Sequence, residues 1–309
     1  MNLHHFPRYT EYDPIVPVYC LTPHRPGCFH RFFDTSPISP SGKYLAVFQL
    51  PFEDRLPEAG QYGNVVVIDL ETGEEKHIIA TAGWEPQMGA NLNWGATDHQ
   101  LYFNDVNQQT WEPFAWQFDV TNGEKRKMDG TVYHASSDGK WLISANMCNM
   151  GRTQPGYGVV VPHEVPQRNI GRTETDGFWL TNTETGRIER FFSIKELWEK
   201  ADPPVKESHP EQYEIYGFHS KFNPQCDRLM VSLRWFPALK EPRWNMFGIN
   251  HDEVRFAWIT LKLDGSEVHC AVGPEEWEKG GHHGTWFPDG VHISMNLNID
   301  RDVLRFVQV

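Results

Sequence analysis

The chain has 309 residues and carries 28 Lys+Arg against 41 Asp+Glu, a formal net charge of −13. That acidic excess argues against a nucleic-acid partner or an anionic membrane surface, both of which are held by clustered Lys and Arg. No window approaches the roughly 18 consecutive apolar residues of a membrane span, and 13% aromatic residues, 12 of them Trp, argue against disorder.

The first residues, MNLHHFPRYTEYD, show no basic segment followed by an apolar one. A cytoplasmic location is therefore expected, with the periplasm as the alternative if a signal was removed. Five cysteines (Cys20, Cys28, Cys148, Cys226 and Cys270) are scattered and odd in number, which suits reduced thiols.

Taken in chain order, five segments share one form: a turn carrying Pro, Ser, Asp or Gly, then an alternating apolar run. They are SPSGKYLAVF (39–48), GATDHQLYF (95–103), SSDGKWLISA (136–145), NPQCDRLMVSL (223–233) and FPDGVHISMNL (287–297). Four are followed by a second strand pair around a tight turn, at 65–79, 114–128, 178–192 and 256–272. Asn122-Gly123 and Asp264-Gly265 predict hairpins there, because both central positions of two-residue hairpin turns need positive φ. One unit is thus strand, tight turn, strand, long loop, strand, tight turn, strand. Its repetition predicts an all-β fold, a β-propeller of four-stranded antiparallel blades forming a single domain over 1–309. A short helix is predicted at 194–201, ended by Asp202-Pro203-Pro204.

About five blades are visible. The last has HHGTWFP, VHISMNL and VLRFVQV, and no fourth strand before Val309. Either IVPVYCL (15–21) completes it and closes a five-bladed ring, or the chain is a truncated seven-bladed ring; the second is the favoured expectation.

In such blades the tight turns fall on one face and the second-to-third loops on the other. The long loops, 51–63, 104–113, 146–177 and 235–255, are all of the second kind, so binding is expected on the elaborated face. The innermost strands start at that face, and four of five carry His there: His30, His134, His219 and the pair His282-His283. His219 and His283 each stand five residues before the Pro of their turn. His219, His282 and His283 are candidate ligands for a divalent metal, Mn or similar. His134 and His219, with Tyr157 and Arg234 from the long loops, are candidate catalytic groups. Arg forks a carboxylate and aromatic faces cover a sugar ring, so Arg152, Trp235 and Trp244 are read as substrate-binding residues. Asn146 and Asn296, at the ends of second strands on the same face, join them. For any one of these residues, loop packing or a surface salt bridge is an equal alternative. GRTQPGYG (151–158) lacks the GKS/T of a phosphate loop, and no G-x-S-x-G or CxxC motif occurs.

The turns SPSGKYLA, SSDGKWLI and FPDGVHI, with VVVIDLETGEE after the first, resemble the TolB-type propeller repeat. The long loops, the NLNWGATDHQLYFNDV segment and the His before each turn resemble the oligogalacturonate lyase group of polysaccharide lyases. That resemblance implies a seven-bladed propeller with a Mn-type metal held by His and Gln, acting on pectic oligosaccharides in the cytoplasm. Ulvan lyases are a second propeller group, with His, Tyr and Arg chemistry to which Tyr157, Arg152 and Arg234 correspond in type.

Both groups imply β-elimination at a 4-linked uronate, in which the C5 proton is removed and the C4 oxygen leaves. A cation must stabilise the carboxylate as it becomes enolate-like. The expectation is therefore a lyase acting on an acidic oligo- or polysaccharide, with no nucleic-acid or membrane partner. The alternatives are a non-catalytic TolB-type propeller that binds a glycan or protein, and a propeller glycoside hydrolase.

Overall fold

The computed structural model describes residues 3–238, 253–300 and 303–309. They form five successive antiparallel sheets, each built from strands adjacent in sequence, as the turn pattern requires. The first contains β3 (Cys28–Phe29), β4 (Tyr44–Gln49), β5 (Gly63–Asp69) and β6 (Glu75–Thr81). The second contains β7 (Asn93–Trp94), β8 (Leu101–Val106), β9 (Pro113–Phe118) and β10 (Lys125–Lys127). The third contains β11 (His134–Ala135), β12 (Trp141–Ala145), β13 (Gly177–Asn182) and β14 (Ile188–Ser193). The fourth contains β15 (Tyr213–Phe222), β16 (Arg228–Pro237), β17 (Arg255–Lys262) and β18 (His269–Val272). The fifth has three strands, β19 (Gly281–Trp286), β20 (Ile293–Asp300) and β21 (Val303–Gln308). The result is a propeller-like, multi-bladed all-β fold.

Strand alternation explains how the sheets stack. Successive side chains point to opposite faces of a sheet, and the middle strands here are apolar on both, so each face must be covered by a neighbour. Tyr44, Ala46, Val65 and Val67 of the first sheet pack on Leu101, Phe103 and Phe118 of the second. Tyr102 and Ala115 pack on Ala135 and Leu142 of the third. Ile143, Phe178 and Leu180 pack on Ile215, Val231, Leu233 and Ile259 of the fourth. Met230 and Trp258 pack on Trp286, Ile293 and Met295 of the fifth. Each fully buried Val, Leu, Ile, Phe or Met side chain among them contributes about 1.5–3 kcal/mol.

The other face of the first sheet is covered differently. β1 (Arg8–Tyr9) and β2 (Val18–Tyr19) pair with each other, and Phe6, Tyr19 and Leu21 pack on Leu45, Val47, Val66 and Ile68. The alternative in which 15–21 completes the fifth sheet is thereby overturned. The apolar face of the first sheet takes that segment, and β21 pairs with β20.

The predicted helix forms as α1 (Ile194–Lys200), with the Ser193 side chain accepting from the Glu196 amide at 3.0 Å. The hairpins form, but not with positive φ at both central positions. Gly123 takes φ 81° while Asn122 does not, and the Asp119 carboxylate accepts from the Thr121 amide at 2.8 Å. The longer turn needs only one left-handed residue, which glycine supplies without steric cost.

Candidate active site

The β3–β4 connection and the strand β15 bring buried charged residues together. Arg31 Nη1 lies 3.1 Å from Asp34 Oδ1, and Lys221 Nζ lies 2.5 Å from Asp34 Oδ2. Arg31 also donates from Nε to Asn91 Oδ1 at 3.2 Å and lies 4.5 Å above the Tyr133 ring. Lys221 donates to the Gly284 carbonyl at 2.7 Å. All five sheets or their leading segments thus contribute to one buried layer. Burial by itself raises the Asp34 pKa, but Lys221 and Arg31 hold this carboxyl well below the usual carboxylate range.

Lys221 lines two cavities, one on each side of this layer. The larger, of about 410 Å³, opens among the tight turns and is lined by Asp34, Trp94, His134, Ser137, Phe222 and Trp286. The smaller, of about 210 Å³, lies on the long-loop side. Its wall includes Tyr157, His219, Arg234, Trp258, His282 and His283.

Local irregularities set up the smaller cavity. The β15/β16 register shifts between Gly217 and Ser220, and the β19/β20 register shifts between His282 and Thr285. Such bulges re-aim side chains next to sites, and these flank His219 and His283. His283 takes φ 60°, and its ring packs 5.0 Å from Phe33 and 4.4 Å from His282. Opposite, Gly284 admits the Trp258 indole: a Cβ at Gly284 would sit 2.6 Å from Trp258 Nε1.

The electrostatics favour an anion. Arg234 is 8% exposed, its guanidinium lies 3.5 Å from the Phe218 ring centroid, and Nη1 donates to the Gln154 side-chain oxygen. It has no carboxylate partner among the described residues. Burial lowers its pKa to about 9, so it remains charged at neutral pH. Arg234 Nε and Trp258 Nε1 are both buried donors without an acceptor among the described residues. Such orphan donors are uncommon, because each costs about 1–3 kcal/mol.

Burial, reinforced by Arg234 and Lys221, holds His219 well below the ordinary histidine value, so it is neutral at pH 7. Its Nδ1 shares a hydrogen bond with the Tyr133 hydroxyl. Burial also keeps Tyr133 a phenol, which donates to Nδ1 and leaves the His219 proton on Nε2. Tyr157 is pushed up to about 12 by burial and is likewise a phenol at neutral pH. His283 lies below its ordinary value because of partial burial and the nearby His282 and Lys221.

Of the residues singled out in the sequence, Tyr157, His219, Arg234, His282 and His283 share this cavity. Others do not. His134 lies in the larger cavity beyond the charged layer, where Nδ1 accepts from the Phe222 amide at 3.2 Å and burial pushes its pKa down to about 3. Arg152 pairs with Glu214 at 2.7 Å and donates to the Tyr216 hydroxyl at 2.5 Å, which fixes loop 146–177 to the fourth sheet. Trp235 is fully buried against Trp198, on the opposite strand face from Arg234. Asn146 lies between the second and third sheets near Asp176, and Asn296 pairs with His282 along the strands without lining the cavity. Trp244 lies outside the described residues. The metal triad is not assembled as expected. Tyr133 occupies His219 Nδ1, the His282 and His283 side chains are exposed, and the described residues contain no group of three His, Cys, Asp or Glu placed to hold an ion. The sequence reading missed Arg31, Tyr133 and Trp258. It also missed Lys221, whose signal was its place two positions beyond His219 on the same strand face.

The chain matches no protein-family model and no curated protein sequence. Among solved structures it is similar to an oligogalacturonate lyase from Vibrio parahaemolyticus, at 16% identity and a TM-score of 0.45, over 94% of this chain and 65% of that one. It is similar to an oligogalacturonate lyase in complex with manganese, at 13% identity and a TM-score of 0.33, over 95% and 93%. It is also similar to the tricorn protease, at 13% identity and a TM-score of 0.41, over 87% of this chain and 21% of that one. The chain thus spans less than two thirds of the Vibrio lyase and about a fifth of the tricorn protease.

Proposed function

We propose that the chain is a carbohydrate-active enzyme that cleaves uronate-containing oligosaccharides by β-elimination in the 210 Å³ cavity. The observation that carries this reading is the pair of buried donors without acceptors, Arg234 Nε and Trp258 Nε1, on one cavity wall. A sugar carboxylate supplies what both lack. The cavity is smaller than the roughly 300–1,000 Å³ of drug-sized ligand sites, which suits a single ring flanked by Trp258, Trp277 and Phe256.

In this reading Arg234 and the Trp258 indole hold the carboxylate and stabilise it as charge builds at C5. The His219 Nε2–H adds a neutral donor. His283, unprotonated at neutral pH, takes the C5 proton; the C–H electron pair becomes the C4–C5 double bond and the C4–O bond breaks. Tyr157, a phenol, gives its proton to the departing oxygen. A divalent ion of the kind bound by the manganese-complexed lyase would supply Lewis-acid stabilisation of the same carboxylate, a role that Arg234 fills here.

The test is a screen of uronate oligosaccharides for the ultraviolet absorbance of the unsaturated product, with wild type and Tyr157→Phe. Product formed by wild type and lost in the variant supports the reading. Binding without product by wild type assigns the cavity to a non-catalytic sugar-binding protein, and a reducing sugar without a double bond assigns it to a hydrolase.

A further inference from the structure

Glu85 is a buried carboxyl outside the cavity wall and takes no part in the chemistry above. It is fully buried, its Oε2 accepts from the Gly158 amide, and its Oε1 has no partner among the described residues. The segment it belongs to is joined to the loop that carries Tyr157. Gln87 N donates to the Gly156 carbonyl at 3.1 Å, and Val160 N donates to the Trp84 carbonyl at 3.4 Å. Glu85 itself is fixed by a reciprocal backbone pair with Gly89, at 3.0 and 2.9 Å.

Tyr157 sits between two glycines in left-handed conformation, Gly156 at φ 87° and Gly158 at φ 86°. A stretch of Gly-Tyr-Gly has little intrinsic preference for one backbone shape, so something outside it must fix the phenol. Of the three hydrogen bonds that join the two segments, the Glu85 side chain makes the one adjacent to Tyr157 on its C-terminal side. Held in this way, the ring packs 4.8 Å from Phe218 and 5.8 Å from His219.

We infer that Glu85 is a positioning residue for Tyr157, anchoring the Gly158 amide so that the phenol faces the reacting oxygen. This rests on the role given to Tyr157 above. A buried carboxyl suits an anchor of this kind. Burial raises its pKa to about 8, opposed by Gly158, Asn91 and Arg31, so near neutral pH it accepts the amide without a full charge.

The experiment compares wild type, Glu85→Gln and Glu85→Leu by NMR of ring-labelled tyrosine and by steady-state kinetics, with Tyr157→Phe identifying the Tyr157 resonance. Glu85→Leu should shift or broaden that resonance and lower kcat roughly 10–100-fold with KM within about twofold, the scale of a small misplacement of a reacting group. Glu85→Gln, which keeps an acceptor oxygen, should restore both. An unchanged Tyr157 resonance in Glu85→Leu overturns the inference. If Glu85→Leu does not fold, hydrogen exchange of the Gly158 amide in wild type decides: protection supports the anchor, and exchange at the rate of an open amide overturns it. Full turnover by Tyr157→Phe would instead refute the role of Tyr157, while the resonance would still report on the anchor.

Discussion

Asp34 Oδ2 and Lys221 Nζ meet at 2.5 Å with side chains 3% and 4% exposed, and the pair forms the floor between two cavities. Removing one member of a buried pair strands the other charge, at roughly 3–5 kcal/mol. Asp34→Ala should therefore lower stability by about that amount in urea unfolding. Because the folded Asp34 pKa is depressed, its contribution is present above the ordinary value of 3.8 and is lost as pH falls from there through the folded value. The stability difference between wild type and Asp34→Asn should shrink over that acidic window. A difference independent of pH would contradict the pairing.

Arg234 should be irreplaceable by lysine. The planar guanidinium lies between the Phe218 and Phe256 rings, 3.5 and 4.8 Å from their centroids, which an ammonium cannot reproduce. Arg234→Lys should weaken binding of a uronate oligosaccharide about tenfold or more by titration calorimetry, the scale of one lost charged hydrogen bond.

Trp258→Phe separates a structural indole from a ligand-binding one. The Nε1–H has no acceptor among the described residues, so deleting it leaves no buried group unpaired and should not lower stability through lost hydrogen bonding. Affinity for the acidic sugar should nevertheless fall about 5–30-fold, equivalent to about 1–2 kcal/mol. Wild-type affinity in the variant would show that the indole does not contact the carboxylate.

His283 sets the acid limb of activity in the proposed chemistry. It must lose its proton to act as base, and its pKa lies below 6.5. The kcat/KM profile should therefore rise with pH to a midpoint below 6.5. In His283→Ala that limb should disappear and the rate fall about 10²–10⁴-fold. A limb that persists in the variant would move the base elsewhere.

Much of the fold was legible because strand period and turn chemistry are local. The GATDHQ and SSDGKW turns mark strand boundaries that β8 and β12 confirm. The site was legible only where position along a strand also fixed depth. His219 and His283, equally spaced from their turns, reached one cavity, whereas His134, two residues deeper, passed the Asp34–Lys221 layer. Trp235 was misread because it follows Arg234 on the same strand and so faces the opposite side of the sheet. Arg31 and Tyr133 gave no local signal, since their roles depend on a 4.5 Å contact across sheets.

The Phe33–His283 contact, at 5.0 Å, joins the first and fifth sheets at the edge of the cavity. Within each sheet the pairings are between sequence neighbours and close short loops, whereas this contact closes most of the chain into a loop. Loop closure over such a span carries the larger entropic cost and slows the step that makes it. The sheets should therefore be able to form one after another during synthesis, while the smaller cavity appears only when the fifth sheet meets the first. A ligand that requires the finished cavity would report on that last event alone, which makes ligand binding a later folding clock than either circular dichroism or tryptophan burial.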